Sequence, residues 1–134
     1  MKKIFPAELS ELNNVLAFAD SELEKAGCSM KAQTSIDVAL EEIFVNIASY
    51  AYPEEKGTAE IDVCADESER CIVIRLCDTG VKFDPLAKPD PNTSLKVSER
   101  AIGGLGIFMV KKMMDSVEYE YKDQTNILTL KKCF

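Results

Sequence analysis

Histidine is absent from this chain of 134 residues, and that one absence removes several chemistries. Without an imidazole there is no Ser-His-Asp or Cys-His nucleophile pair, no phosphohistidine relay within the chain and no histidine ligand for zinc. The five cysteines, Cys28, Cys64, Cys71, Cys77 and Cys133, are odd in number and show no C-x-x-C spacing, so they read as reduced, mostly buried thiols. Any catalysis must then rest on carboxylates, lysines, amides and a metal ion. Long hydrophobic runs are also missing. The longest uncharged apolar stretch, 101–110, is too short and glycine-rich to span a bilayer, and Pro6 and Glu8 interrupt MKKIFPAELSEL before a signal-like apolar region can form. A soluble, cytoplasmic protein without membrane contact is expected. Basic residues are outnumbered: 16 Lys and Arg against 23 Asp and Glu leave a net charge of −7, which argues against direct binding to nucleic acid. Neither common phosphate loop is present, since no G-x-x-x-x-G-K-[ST] occurs and the glycines at 103–106 do not follow a strand of a βαβ unit.

What is present suits one globular domain over 1–134, 46% hydrophobic and 29% charged, with no repeats or low-complexity tracts. KKIFP reads as a short edge strand. The segment 8–26 reads as a helix with Leu9, Leu12, Leu16, Ala19 and Leu23 on one face and Gly27 at its end. Ser29 is placed to cap a second helix that runs to about Tyr52, with Ile36, Leu40, Ile43, Ile47 and Ala51 as its stripe and Pro53 as its stop. TAEIDVCAD and RCIVIRLCD around the turn ESE predict an antiparallel hairpin, and SVEYEYK and NILTLKK around DQT predict two final strands. Between these pairs, 80–102 carries three prolines with Asn92, Thr93, Ser94, Lys96 and Arg100, and it reads as a long mobile loop. A loop of roughly twenty residues inside a compact domain is usually functional.

Three short motifs carry chemistry. Gly103, Gly104 and Gly106 open a predicted helix in which Ile107, Val110, Met114 and Val117 recur at 3–4 spacing. Unpaired N–H groups and the helix dipole make such a start an anion site, and glycine lets a phosphate come close to the backbone. By itself the pattern reads equally as a loop before a core helix. Glu42 and Asn46 lie one helical turn apart, so their side chains project side by side, about 5–6 Å apart. An amide oxygen is a usual ligand for Mg²⁺ and a carboxylate can take a proton from a hydroxyl, although a lone E-x-x-x-N is also an ordinary solvated face. Asp78 and Gly80, in CDTGVKFDP, end an apolar strand. That carboxylate could accept from an exocyclic amine such as adenine N6 while Gly80 lets a flat ring lie on the backbone; a plain strand-ending turn is the alternative.

Taken in order and spacing, E-x-x-x-N, D-x-G-x-x-F-D-P and G-G-L-G-I-F resemble the N box and two glycine boxes of the GHKL (histidine-kinase-like) ATPases. FDP at 83–85, ERAIGGLGIFMVKKMMD and the closing NILTLKK are most similar to the bacterial anti-sigma factor serine/threonine kinases. The likeness runs over nearly the whole chain from about residue 30. It implies an α/β fold, a two-layer α/β sandwich of the Bergerat type, in which helices cover one face of a mixed, mostly antiparallel sheet. ATP would sit between the layers under a lid at about 81–102. By the same resemblance Asn46 binds Mg²⁺, Glu42 is the catalytic base and Asp78 holds the adenine amine. Gly80 lies near the base, Gly104 and Gly106 face the phosphates, Phe83, Gly103 and Leu105 belong to the same nucleotide site, and Arg100 is a lid arginine for partner or phosphate. Two departures stand out. Tyr50 occupies the position of a usual histidine, and the usual threonine of the last strand pair is matched by Thr125 followed by Asn126, with either able to face the nucleotide.

The missing phosphoaccepting histidine argues against a sensor kinase, and a gyrase-like ATPase with its transducer is not expected in 134 residues. The resemblance therefore implies an ATP-dependent protein serine/threonine kinase that sequesters a sigma factor and phosphorylates a Ser or Thr of an anti-sigma antagonist. Self-association as a homodimer is left open. The alternative is a non-catalytic, ATP-gated binding module of the same fold.

Overall fold

The computed structural model describes residues 1–87 and 104–134. Strands β1 (Lys2–Pro6), β2 (Thr58–Asp66), β3 (Cys71–Asp78), β4 (Ser116–Lys122) and β5 (Thr125–Cys133) form one sheet in the order β1-β2-β3-β5-β4. All four pairings are antiparallel, so the expected two-layer sandwich has no parallel pair among the described residues. Helices α1 (Leu12–Lys25), α2 (Met30–Asn46) and α3 (Gly104–Met113) cover one face, α1 packing over β2, α2 over β5 and α3 beside β4.

Period-two alternation sets which face is covered. Ala59, Ile61 and Val63 of β2, Ile72, Ile74 and Leu76 of β3, and Leu128 and Leu130 of β5 are buried, while Glu60, Asp62, Arg75 and Thr129 point to the open side. Against this floor α2 presents Ile36, Leu40 and Phe44, all fully buried. At roughly 1.5–3 kcal/mol for each such side chain, burial along this one helix outweighs any intrinsic helix propensity in the segment.

The caps act where the residue types predict. Ser29 Oγ accepts the Ala32 N–H at 3.2 Å at the start of α2. Gly27, at φ 74°, ends α1 in a left-handed turn whose Gly27 and Cys28 N–H groups return to the Glu24 and Leu23 carbonyls. Asp123 and Gln124 both have positive φ and form the two-residue turn from β4 into β5.

Three expectations change. Leu9 falls in a 3₁₀ turn, Leu9–Glu11, ahead of α1 and is exposed; the helical phase begins at Leu12 and buries Val15 in its place. Val117 belongs to β4, because α3 stops at Met113, whose carbonyl accepts from Lys132 Nζ. Cys71 and Cys133 are not thiols: they face each other at the ends of β3 and β5 and are joined as a disulfide. Cys28, Cys64 and Cys77 remain free, Cys64 being exposed rather than buried.

Candidate functional site

Beyond Asn46 the second helix does not end but widens. Ile47–Ala51 form a π-helical turn, a local form that is costly in isolation and frequent at functional sites. It carries the Ala51 carbonyl to the end of β3, where it accepts the Val81 N–H at 2.8 Å. Gly80 is needed for that approach, since a Cβ there would lie 2.2 Å from the Ala51 oxygen. Tyr52 clamps the same junction: its hydroxyl donates to the Thr58 carbonyl at 2.6 Å and accepts the Thr79 N–H at 3.0 Å. The phenol ring lies across Gly57, where a Cβ would be 2.2 Å from ring atoms.

The junction walls a cavity of ≈ 140 Å³. Ile43 and Ile47 of α2 and Leu76 and Leu128 of the sheet make its apolar sides, Val81, Phe83 and Tyr119 close it, and Asn46 and Asp78 enter it. The volume is below the roughly 300–1,000 Å³ that enclose a whole drug-sized ligand, and so suits one flat end of a larger molecule. Asp78 and Asn126 are the buried polar side chains among the described residues, and they bond to each other: Asn126 Nδ2 donates to Asp78 Oδ1 at 3.0 Å. The same Oδ1 accepts the Gly80 N–H at 3.0 Å, while no described protein donor reaches Oδ2. Burial pushes the Asp78 carboxyl above its usual range, opposed by these two donors.

The sequence-derived residues are thus partly assembled. Asn46, Asp78, Phe83 and Asn126 line one cavity, and Gly80 shapes its edge. Glu42 lies outside the lining, against the first turn of α3: a Cβ on Gly106 would be 1.8 Å from Glu42 Oε1. Gly104 and Leu105 belong to that first turn. Thr125 turns its hydroxyl to the Asp123 carbonyl at 3.2 Å and is not in the cavity wall. Arg100, Gly103 and the expected lid from residue 88 onward lie outside the described residues. Sequence reasoning missed Tyr119, whose hydroxyl donates to Asn126 Oδ1 at 2.5 Å, as well as Tyr52 and Lys82. The signal for Tyr119 was its parity in SVEYEYK, which puts it on the face of Val117, toward the helices.

Two buried polar side chains, Asp78 and Asn126, at one end of a mostly apolar cavity, with Asn46 in its wall and Glu42 one helical turn before Asn46, make a candidate ligand site between the layers of an α/β sandwich. Residues 5–132 match the family described as histidine kinase-like ATPase domain. The chain is 30% identical over 114 residues to the serine-protein kinase RsbW of Listeria innocua, covering 80% of this chain and 70% of that one. It is 29% identical over 98 residues to the serine-protein kinase RsbW of Bacillus cereus, covering 70% and 60%. It is 24% identical over 102 residues to the serine/threonine-protein kinase BtrW of Bordetella bronchiseptica, covering 76% and 71%. The chain belongs to the histidine kinase-like ATPase family, in the anti-sigma kinase group that its motifs resemble. No helix among the described residues is long and apolar enough to cross a membrane.

Proposed function

We propose that the protein is an ATP-dependent protein serine/threonine kinase that binds Mg-ATP with its adenine in the cavity at Asp78. The observation that carries this reading is the buried Asp78 carboxylate, whose Oδ2 has no described protein donor in a mostly apolar cavity. An exocyclic amine supplies the missing donor, whereas the keto oxygen of guanine leaves the carboxylate unpaired at a cost of roughly 1–3 kcal/mol. Gly80 lets the Ala51 carbonyl, and Gly106 the Glu42 carboxylate, lie against its backbone, since a Cβ at either position would overlap them.

Asn46 would hold Mg²⁺ through its amide oxygen; bound there, the ion neutralises charge on the phosphate oxygens. Glu42, one turn earlier and against α3, takes the proton of the serine or threonine hydroxyl as its oxygen attacks the γ-phosphorus and ADP leaves. The first turn of α3, with Gly104, Leu105 and Gly106, offers its free N–H groups to the phosphates, joined by Gly103 and Arg100. The partners in this reading are a sigma factor, held in one complex, and an anti-sigma antagonist that is phosphorylated in another. RsbW and BtrW, both named as serine or serine/threonine kinases, support that assignment of class.

Calorimetry with ATP, GTP and inorganic triphosphate tests the site. ATP should bind at least tenfold tighter than GTP, and Asp78→Ala should weaken ATP far more than triphosphate. Equal affinity for ATP and GTP would overturn the adenine assignment.

A further inference from the structure

Asn126 makes every hydrogen bond that an amide can make. Its Oδ1 accepts the Phe83 N–H at 3.1 Å and the Tyr119 hydroxyl at 2.5 Å, and its Nδ2 donates to Asp78 Oδ1 at 3.0 Å and to the Val81 carbonyl at 2.9 Å. An amide has two acceptor sites and two donors, so none is left for a ligand. Its orientation is fixed as well, because two donors converge on Oδ1 and the opposite flip would set N–H against N–H. Both acceptors of the NH₂ group are therefore determined by the partners of the oxygen.

Resting on the nucleotide reading given above, we propose that Asn126, locked by the Tyr119 hydroxyl, is a positioning residue that keeps Asp78 ionised and aimed, so that Asp78 selects an amine-bearing base. The amide does three things at once. It occupies Asp78 Oδ1 together with the Gly80 N–H, which leaves Oδ2 as the acceptor for the ligand. It supplies the carboxylate with a donor in a buried place, where an unassisted carboxyl would hold its proton and present O–H in place of a lone pair. It also ties Val81 and Phe83, two closing walls of the cavity, to β5, so the wall and the carboxylate stay in one geometry. The register explains how this is built: Asp78 and Asn126 are direct cross-strand partners of β3 and β5, and Tyr119 reaches the amide diagonally from β4.

The test is the pH profile of nucleotide affinity. The ionisable groups around Asp78 are Cys77 beside it on β3, Lys82 and Asp84 in the segment that follows, Tyr119 on β4 and Tyr50 after α2. ADP, titrated calorimetrically from pH 5 to 9, is the probe. The wild type should bind ADP with an affinity that drops only toward the acid end. Asn126→Leu, close in volume but without polar atoms, should lose about tenfold at neutral pH, the value of one charge-assisted donor. It should regain most of that loss at pH 9, where Asp78 ionises again. Tyr119→Phe should move the profile in the same direction by a smaller factor, about two- to fivefold. Failure to fold by Asn126→Leu would not leave the matter open, because a carboxyl-carbon NMR titration of Asp78 in Tyr119→Phe must still show a raised midpoint. Unmoved midpoints, or an equal loss at every pH, overturn the positioning role. A wild type that does not bind ADP overturns the nucleotide reading instead.

Discussion

Replacing Gly80 or Gly106 by alanine adds the same methyl group to two parts of the site, yet the consequences should separate. At Gly80 the new Cβ would lie 2.2 Å from the Ala51 carbonyl oxygen, 2.7 Å from its carbon and 2.7 Å from its Cβ. Ordinary contact needs about 3.5 Å, so the end of α2 and the end of β3 must part by roughly 1 Å. Neither side is free to yield, since Tyr52 bonds to both Thr58 and Thr79. The 2.8 Å bond from Val81 to Ala51 is then lost, at about 1 kcal/mol, and overpacking adds about 1–3 kcal/mol. A total of about 2–4 kcal/mol lowers Tm by roughly 8–15 °C in a chain of this size. At Gly106 the Cβ would meet Glu42 Oε1 at 1.8 Å, Cδ at 2.2 Å and Cγ at 2.8 Å, all belonging to a side chain that can rotate away. Alanine in place of glycine in a helix returns about 1 kcal/mol, so stability should hold. Glu42, however, is displaced, and a catalytic group moved by about 1 Å can cost 10²-fold in rate. Circular-dichroism melting and phosphoryl transfer from radiolabelled ATP to a partner read the two quantities. The reasoning is refuted if Gly80→Ala melts with the wild type, or if Gly106→Ala loses as much stability as Gly80→Ala.

Three further outcomes are expected. Glu42→Gln should keep ATP affinity within about threefold yet lose transfer by 10²-fold or more, whereas Asn46→Ala should also lose the Mg²⁺-dependent part of binding; transfer at the wild-type rate by Glu42→Gln removes Glu42 as the base. Asp37 on α2 is pushed up to about 7 by burial and then by the facing Asp20 carboxyl of α1, and each of the two keeps one buried oxygen without a partner. Below its ordinary value of 3.8 the group is protonated whether folded or not; from there to about 7 only the folded chain holds the proton, so stability falls as pH rises through that window. Asp37→Asn should remove this slope and gain about 1–2 kcal/mol at pH 8, after discounting for the partial exposure of the pair; urea unfolding in which Asp37→Asn is no more stable than the wild type at pH 8, or gains as much at pH 5 as at pH 8, refutes it. The Cys71–Cys133 bond closes a loop across 62 positions, worth up to about 4 kcal/mol by chain entropy, so a reducing agent should lower Tm in the wild type and leave Cys133→Ser unmoved.

Elements whose signal is local were legible in the sequence. TAEIDVCAD became β2 residue for residue, SVEYEYK became β4, and Ser29 and Gly27 capped the helices they were expected to cap. Each of those readings needed only alternation, a turn or a capping side chain. The strand order could not be read, because two hairpins can be laid side by side in several ways with the same local pattern. Everything that depends on that order was hidden with it. Cys71 and Cys133 meet only because β5 lies beside β3 in one register, and Tyr119 reaches Asn126 only because β4 lies beyond β5. The π-helical turn at 47–51 was equally invisible, since its apolar residues continue the α-helical stripe and its cause is the distant pairing of Ala51 with Val81.

The choice between Thr125 and Asn126 is different, because the answer was present in the sequence and needed one more step. Side chains alternate along a strand, so two adjacent residues cannot both face the helices, and a slip of one position exchanges them. In TNILTLKKC the buried face carries Leu128 and Leu130, and counting back by two from Leu128 reaches Asn126. Thr125 shares its parity with Ile127 and Thr129, on the open side. A polar residue at an inward position costs several kcal/mol unless it is paired, so its presence there predicts partners on the facing strand as well as its own direction. Asp78, the last residue of CIVIRLCD and inward by the same count from Leu76 and Ile74, is the one polar side chain of β3 on the same face. Two inward polar residues on neighbouring strands satisfy each other, and the pair marks the polar end of an apolar cavity before any ligand is considered.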